Sequence, residues 1–153
     1  CQATVNLLEE AFATHEVFQF LRENALKVVI LGKSDLLGQP LCALLSSKNC
    51  SVEMIGSLEL NARIENKIFL KDADIVVSAT GRRNLIQGHL LREGAVVIDV
   101  GEPQGDVEFS SVLGVARVLS PVPGGVGPMT VVSLMENAVT LCLEPSRKKN
   151  DLL

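Results

Sequence analysis

The residues with the clearest chemical potential lie in loops that close short apolar runs. Gly32-Lys-Ser-Asp-Leu-Leu-Gly38-Gln-Pro40 follows the run Lys27-Val-Val-Ile-Leu31 and opens a helix-like stretch. A glycine loop between a strand and a helix gathers backbone N–H groups and the positive end of a helix dipole at one point, an arrangement suited to a pyrophosphate. The spacing is not G-x-G-x-x-G, so an ordinary strand-to-helix turn accounts for it as well. After the second apolar run come Ile55-Gly56-Ser57. A site for an unphosphorylated adenosine ribose commonly has Asp or Glu there, and none occupies the spot; Glu59 comes two residues later. Lys33 as a cation and Ser57 as a hydrogen-bond donor would instead suit a 2′-phosphate, which tilts the choice from NAD toward NADP. The structural alternatives are a solvated loop lysine for Lys33 and a helix N-cap for Ser57.

Two more apolar runs end in the same way, at Ala79-Thr80-Gly81 and at Asp99-Val100-Gly101. In an open parallel sheet the carboxyl ends of the strands line the ligand crevice, and each glycine would let backbone pass close to a ligand or simply make a turn. Further on, Ser120-Pro-Val-Pro-Gly-Gly-Val-Gly-Pro-Met-Thr130 holds three prolines and three glycines in eleven residues. Prolines fix a backbone path, and glycines leave room for a flat ring to approach.

These loops need elements to hold them. The runs Lys27–Leu31, Ser51–Ile55, Asp74–Ala79 and Ala95–Val100, and a shorter Ala116–Leu119, read as strands buried on both faces. Gly38–Lys48, Leu58–Leu70, Leu85–Arg92 and Pro128–Leu143 read as helices between and after them. The alternation predicts an α/β fold, a Rossmann-like doubly wound and mostly parallel sheet with helices on both faces. From Thr4 to Arg22 the apolar positions recur at helical spacing, giving an N-terminal helical segment. The expected organisation is a helical linker over 1–26, a nucleotide-binding domain over 27–145 and a polar tail over 146–153.

Composition narrows the partners. The chain has 153 residues, 47% of them hydrophobic and 3% aromatic, and a net charge of −4. That is enough for one domain with a sizeable core. The acidic balance argues against a nucleic-acid partner, which requires clustered Lys and Arg. No apolar run reaches the roughly 18 residues of a membrane span, so no membrane partner is expected. The four cysteines, Cys1, Cys42, Cys50 and Cys142, lack C-x-x-C spacing and read as reduced and structural, with no metal site.

Taken together, GKSDLLGQP, SATG, VVIDVG and above all SPVPGGVGPMT resemble the nucleotide-binding domain of the bifunctional methylenetetrahydrofolate dehydrogenase/cyclohydrolase family. The resemblance runs from about Lys27 to Leu143. It implies that Gly32, Lys33, Ser34, Leu37 and Gly38 form the pyrophosphate and ribose loop and that Ser57 helps hold the 2′-phosphate. It implies that Ala79, Thr80 and Gly81 line the adenosine and ribose side, and that Val100, Gly101 and Thr130 lie near the nicotinamide. Pro123, Gly124 and Gly125 would border a folate cleft. The family's cofactor is NADP or NAD, its substrate a tetrahydrofolate derivative, its assembly a homodimer and its compartment cytoplasmic or mitochondrial. Lys33 stands where the family usually has Arg, and lacks that residue's planar two-point grip on phosphate. Glu102 replaces a usual apolar residue.

The family's chemistry oxidises the methylene group of 5,10-methylenetetrahydrofolate and then hydrolyses the methenyl product to 10-formyltetrahydrofolate. Hydrolysis there uses a Tyr-x-x-x-Lys pair in a separate folate domain. This chain has no tyrosine, so that pair is not in it. His15 and His89 have no matched nucleophile or acid, and Asp99 reads as a turn carboxylate before it reads as a general base. No residue is therefore assigned a catalytic role. Two readings remain: the cofactor half of a dehydrogenase/cyclohydrolase, inactive alone, or a catalytically silent dinucleotide-binding or interaction module.

Overall fold

The computed structural model describes residues 2–101, 103–130, 133 and 135. Five strands, β1 (Lys27–Leu31), β2 (Ser51–Ile55), β3 (Ile75–Ser78), β4 (Val96–Asp99) and β5 (Val118–Leu119), form one parallel sheet in the order β2-β1-β3-β4-β5. β1, β3 and β4 are nearly all Val, Ile and Leu because both of their faces are covered. Successive side chains point opposite ways and fill two cores. Val28, Ile30, Ile75, Val77, Val96 and Ile98 enter the first, and Val29, Leu31, Val76 and Val97 the second.

The first core is closed by α1 (Gln2–Phe12), α2 (Val17–Glu23), α3 (Gly38–Ser47) and Val126. The second is closed by α4 (Ser57–Glu65), by Ile86 and Leu91 on either side of a short 3-10 turn at Gly88–Leu90, and by α5 (Phe109–Val112). The chain leaves β1 through α3 to reach β2 on one side, then recrosses β1 through α4 on the other face to reach β3. Right-handed crossovers require those opposite faces. The reversal leaves a switch point between the carboxyl ends of β1 and β3, where such sheets open a crevice. The segment read as a linker is docked: Val5, Leu8, Val17 and Leu21 are each 3% exposed or less in the core beneath β1 and β3. Burying an aliphatic side chain of this size contributes roughly 1.5–3 kcal/mol.

Three helix expectations need correction. Leu85–Arg92 is not a helix beyond the 3-10 turn, because its backbone bonds go elsewhere. Leu70 donates to the Leu90 carbonyl at 2.8 Å and Ile86 to the Asp106 carbonyl at 3.0 Å. Ile86, Leu90 and Leu91 mimic a helical stripe only because two isolated bridges, at Ile86 and Leu91, and the 3-10 turn between them bury all three. The helix expected over Leu58–Leu70 is α4, which begins at Ser57 and stops at Glu65, where Lys67 takes a left-handed φ of 57° and breaks the ladder. The last helix begins at residue 126, so Pro128 is its third residue. A first-turn position still spares a backbone donor that would lack a partner. Its expected continuation to Leu143 and the tail over 146–153 lie outside the described residues, apart from helical positions 133 and 135. Cys42 and Cys50 are free thiols, while Cys1 and Cys142 lie outside the described residues.

Candidate functional site

The ends of β1, β2 and β3 are laced together at the switch point. Gly32 donates to the Ile55 carbonyl at 2.9 Å, and Ala79 to the Leu31 carbonyl at 2.8 Å. Gly32 has a φ of +110°, and a Cβ there would stand 2.4 Å from the Ala79 oxygen. The close approach of the two strand exits is thus possible only with glycine. Ser34 folds the loop onto α3, its hydroxyl oxygen accepting the N–H groups of Leu37 and Gly38 at 3.3 and 3.4 Å. Lys33 and Ser34 are exposed, Leu37 is half-buried and Gly38 is buried beneath them. The loop therefore presents a cation and a helix N-terminus to solvent at one edge of the crevice.

Beside it, the structure brings a carboxylate to the place where the linear sequence shows none. Glu59 is the third residue of α4, and its side chain turns back so that Oε2 accepts the Gly56 N–H at 2.7 Å. The same oxygen meets Lys33 Nζ at 2.9 Å. The Gly56 N–H, followed by the Lys33 ammonium, holds the Glu59 carboxyl below its usual range. Gly56 occupies the N-cap position, so Ser57 is the first helical residue and not the cap. Half-buried next to Gly56, Ser57 stands at the strand end where the phosphate reading places it.

The exits of β3 and β4 are held by two buried acids. Asp106, fully buried, accepts the Ser78 hydroxyl at 2.8 Å and the backbone N–H groups of Thr80 at 2.6 Å and Arg82 at 2.9 Å. Ala79, Thr80 and Gly81 thus owe their path to a residue in the following loop. Asp99, 3% exposed, accepts the N–H groups of Gly101, Asp106 and Val107 at 2.8, 3.1 and 3.0 Å. This is the turn carboxylate expected of it. Burial pushes its carboxyl up, against the pull of those three donors. Asp106 escaped the sequence reading; the only signal is an acid closing the short loop after a Gly-terminated strand.

The proline- and glycine-rich stretch walls a cleft of about 670 Å³ at the β4 end. Val100, Pro123, Gly124, Gly125 and Thr130 line it, together with Pro121, Val122 and the edge of Asp99. Gly101 is buried, its N–H turned to Asp99, and does not line the cleft. Ser120 anchors the wall, its hydroxyl oxygen accepting the Asp99 N–H at 2.8 Å. Thr130 donates its hydroxyl to the Val126 carbonyl at 2.9 Å, so that its oxygen keeps only acceptor capacity. Glu102 lies outside the described residues. His89 is exposed and edge-on to Phe69 at 5.7 Å between ring centroids.

Lys33, Ser57 and the N-terminus of α3 match phosphates, while an apolar wall with glycine gaps matches a flat ring. A doubly wound parallel sheet with a glycine loop at its switch point is the architecture of a dinucleotide-binding domain. The chain belongs to the tetrahydrofolate dehydrogenase/cyclohydrolase family, residues 13–145 matching its NAD(P)-binding domain.

Among its relatives is the bifunctional protein FolD of Leuconostoc mesenteroides, 46% identical over 119 residues, covering 74% of this chain and 42% of the relative. The FolD protein of Staphylococcus saprophyticus is 43% identical over 127 residues, covering 78% of this chain and 42% of its own length. A similar solved structure is the methylenetetrahydrofolate dehydrogenase-cyclohydrolase of Trypanosoma brucei, complexed with NADP cofactor and inhibitor. It superimposes with a TM-score of 0.68 at 34% identity, covering 82% of this chain and 48% of that one. The chain spans about two fifths of the length of the curated relatives it matches.

Proposed function

We propose that this chain is the cofactor half of an NADP-dependent methylenetetrahydrofolate dehydrogenase, which oxidises 5,10-methylenetetrahydrofolate to the methenyl form and is coupled to cyclohydrolase hydrolysis to 10-formyltetrahydrofolate. The observation that carries this reading is the match of residues 13–145 to the family's NAD(P)-binding domain, on a chain whose β4 exit and proline- and glycine-rich stretch line one cleft. NADP is the expected cofactor and NAD the second choice. The nicotinamide, when bound, accepts a hydride from the folate methylene carbon. The chain's own part is positional. Gly32, Lys33, Ser34, Leu37 and Gly38 receive the phosphates, Ser57 the 2′ position, and Ala79, Thr80 and Gly81 the adenosine and ribose side. Val100 and Thr130 flank the nicotinamide with Gly101 packed behind them, and Pro123, Gly124 and Gly125 form one wall of the folate cleft. A homodimer in the cytosol or mitochondrion accords with this reading.

The cyclohydrolase step requires groups that this chain does not supply, since it has no tyrosine. The isolated chain is therefore expected to bind cofactor and to turn over neither reaction. Calorimetric titration with NADP and with NAD tests the first part, and heat with neither would sink the reading. Dehydrogenase turnover by the isolated chain would overturn the second.

A further inference from the structure

We propose that Glu59 is the residue that weighs a ribose 2′-hydroxyl against a 2′-phosphate at this site, by occupying the acceptor position at the end of β2 and holding the Lys33 ammonium. The inference rests on the dinucleotide reading above and adds its specificity determinant.

Dinucleotide-binding sheets that accept an unphosphorylated ribose place an acid at the end of the second strand, where it accepts the ribose hydroxyl. Here the linear sequence offers only Gly56 and Ser57 at that point. The fold supplies the acid from the first turn of α4, because side chains on a helix lean toward its N-terminus. Glu59 Oε2 is thereby brought to 2.7 Å from the Gly56 nitrogen and 2.9 Å from Lys33 Nζ. The Lys33 stem lies along the same glycine: a Cβ on Gly56 would be 3.5 Å from Lys33 Cδ, from Lys33 Cε and from Glu59 Oε2. Gly56 is thus the shared floor under a cation and an anion.

The pair has consequences for both ligands. A 2′-phosphate that uses Lys33 must share the ammonium with Glu59 or draw it away, and sits beside a carboxylate either way. A 2′-hydroxyl can donate to that carboxylate without disturbing the pair. Both side chains are about half exposed, at 48% and 56%, so the pair is weak enough for a ligand to rearrange. Glu59 therefore narrows the preference for NADP that Lys33 alone would give.

Glutamine at position 59 separates charge from structure, since it also serves as the third residue of a capping box and keeps the bond to Gly56. In Glu59→Gln the melting temperature should stay within about 2 °C of the parent. Calorimetry should show NADP bound about tenfold more tightly, the effect of removing one nearby like charge in partly screened surroundings. NAD binding should be unchanged or weaker. The NADP gain should shrink as salt rises from 0.05 to about 0.5 M, a range over which the screening length falls severalfold. Equal changes for the two cofactors, or a ratio moving toward NAD, would overturn the role given to Glu59 while leaving the dinucleotide reading intact. Absence of binding by either cofactor in parent and variant would overturn both.

Discussion

The buried carboxylate of Asp99 accepts the backbone N–H of Asp106 at 3.1 Å, and the Asp106 carboxylate in turn reaches the exit of β3. Two acids, neither facing a cation among the contacts described, thereby tie the loops after β3 and β4 into one rim.

Removing the second acid should loosen that rim. Asp106→Ala leaves the Ser78 hydroxyl and the Thr80 and Arg82 N–H groups without their acceptor. Unpaired buried donors cost roughly 1–3 kcal/mol each, and partial rehydration makes about 2–4 kcal/mol the expected total. Asp106→Asn keeps one acceptor oxygen and should lose about half as much. Urea unfolding measures both, and a loss below about 0.5 kcal/mol for the alanine variant would contradict the role.

The first acid makes a pH prediction. The folded protein holds the Asp99 proton more tightly than the unfolded chain does, because burial outweighs the three N–H donors. Its favourable contribution is then full below the ordinary value of 3.8 and is lost as pH rises through the folded value. Asp99→Asn places an amide against the same donors, an offset that does not vary with pH. The stability of the parent minus that of the variant should accordingly fall as pH rises above the ordinary value of 3.8. Unfolding curves at rising pH check it, and a difference that grows with pH would reverse the assignment.

Contact between the β1 and β3 exits depends on one glycine. Gly32→Ala meets both a φ of +110° and an oxygen 2.4 Å from the new Cβ, so it should cost at least about 2 kcal/mol and abolish NADP binding. Gly81→Ala shares a positive φ of +68° but meets nothing within 4 Å, and should cost only about 1 kcal/mol. Thermal melts of the two variants give the comparison; equal losses would show that backbone conformation alone sets the cost.

Lys33 should matter to binding and little to folding. It is about half exposed and paired with Glu59, so Lys33→Ala should change stability by less than about 0.5 kcal/mol. It should weaken NADP severalfold more than NAD, since only the former carries the 2′-phosphate. Calorimetry with both cofactors decides this, and equal losses would remove Lys33 from the 2′ position.

By itself the sequence determined the strands, their parallel arrangement and the loops at their carboxyl ends. Continuous Val and Ile runs such as Val28–Leu31 and Val96–Ile98 are stable only between two apolar layers, and glycine at each exit is a local requirement of the turn. The stretch from Ser120 to Thr130 was equally legible, because its order of prolines and glycines is itself the feature. Tertiary structure alone decided what those loops meet. Leu85–Arg92 has a helix-like pattern but spends its backbone bonds on Leu70 and Asp106, each 20 residues from its partner in the chain. Asp106 and Glu59 carry no distinguishing neighbours in the sequence. One becomes the rim's anchor and the other reaches the end of β2 because backbone donors left over at strand and helix ends must be satisfied by whatever acceptor the fold brings near.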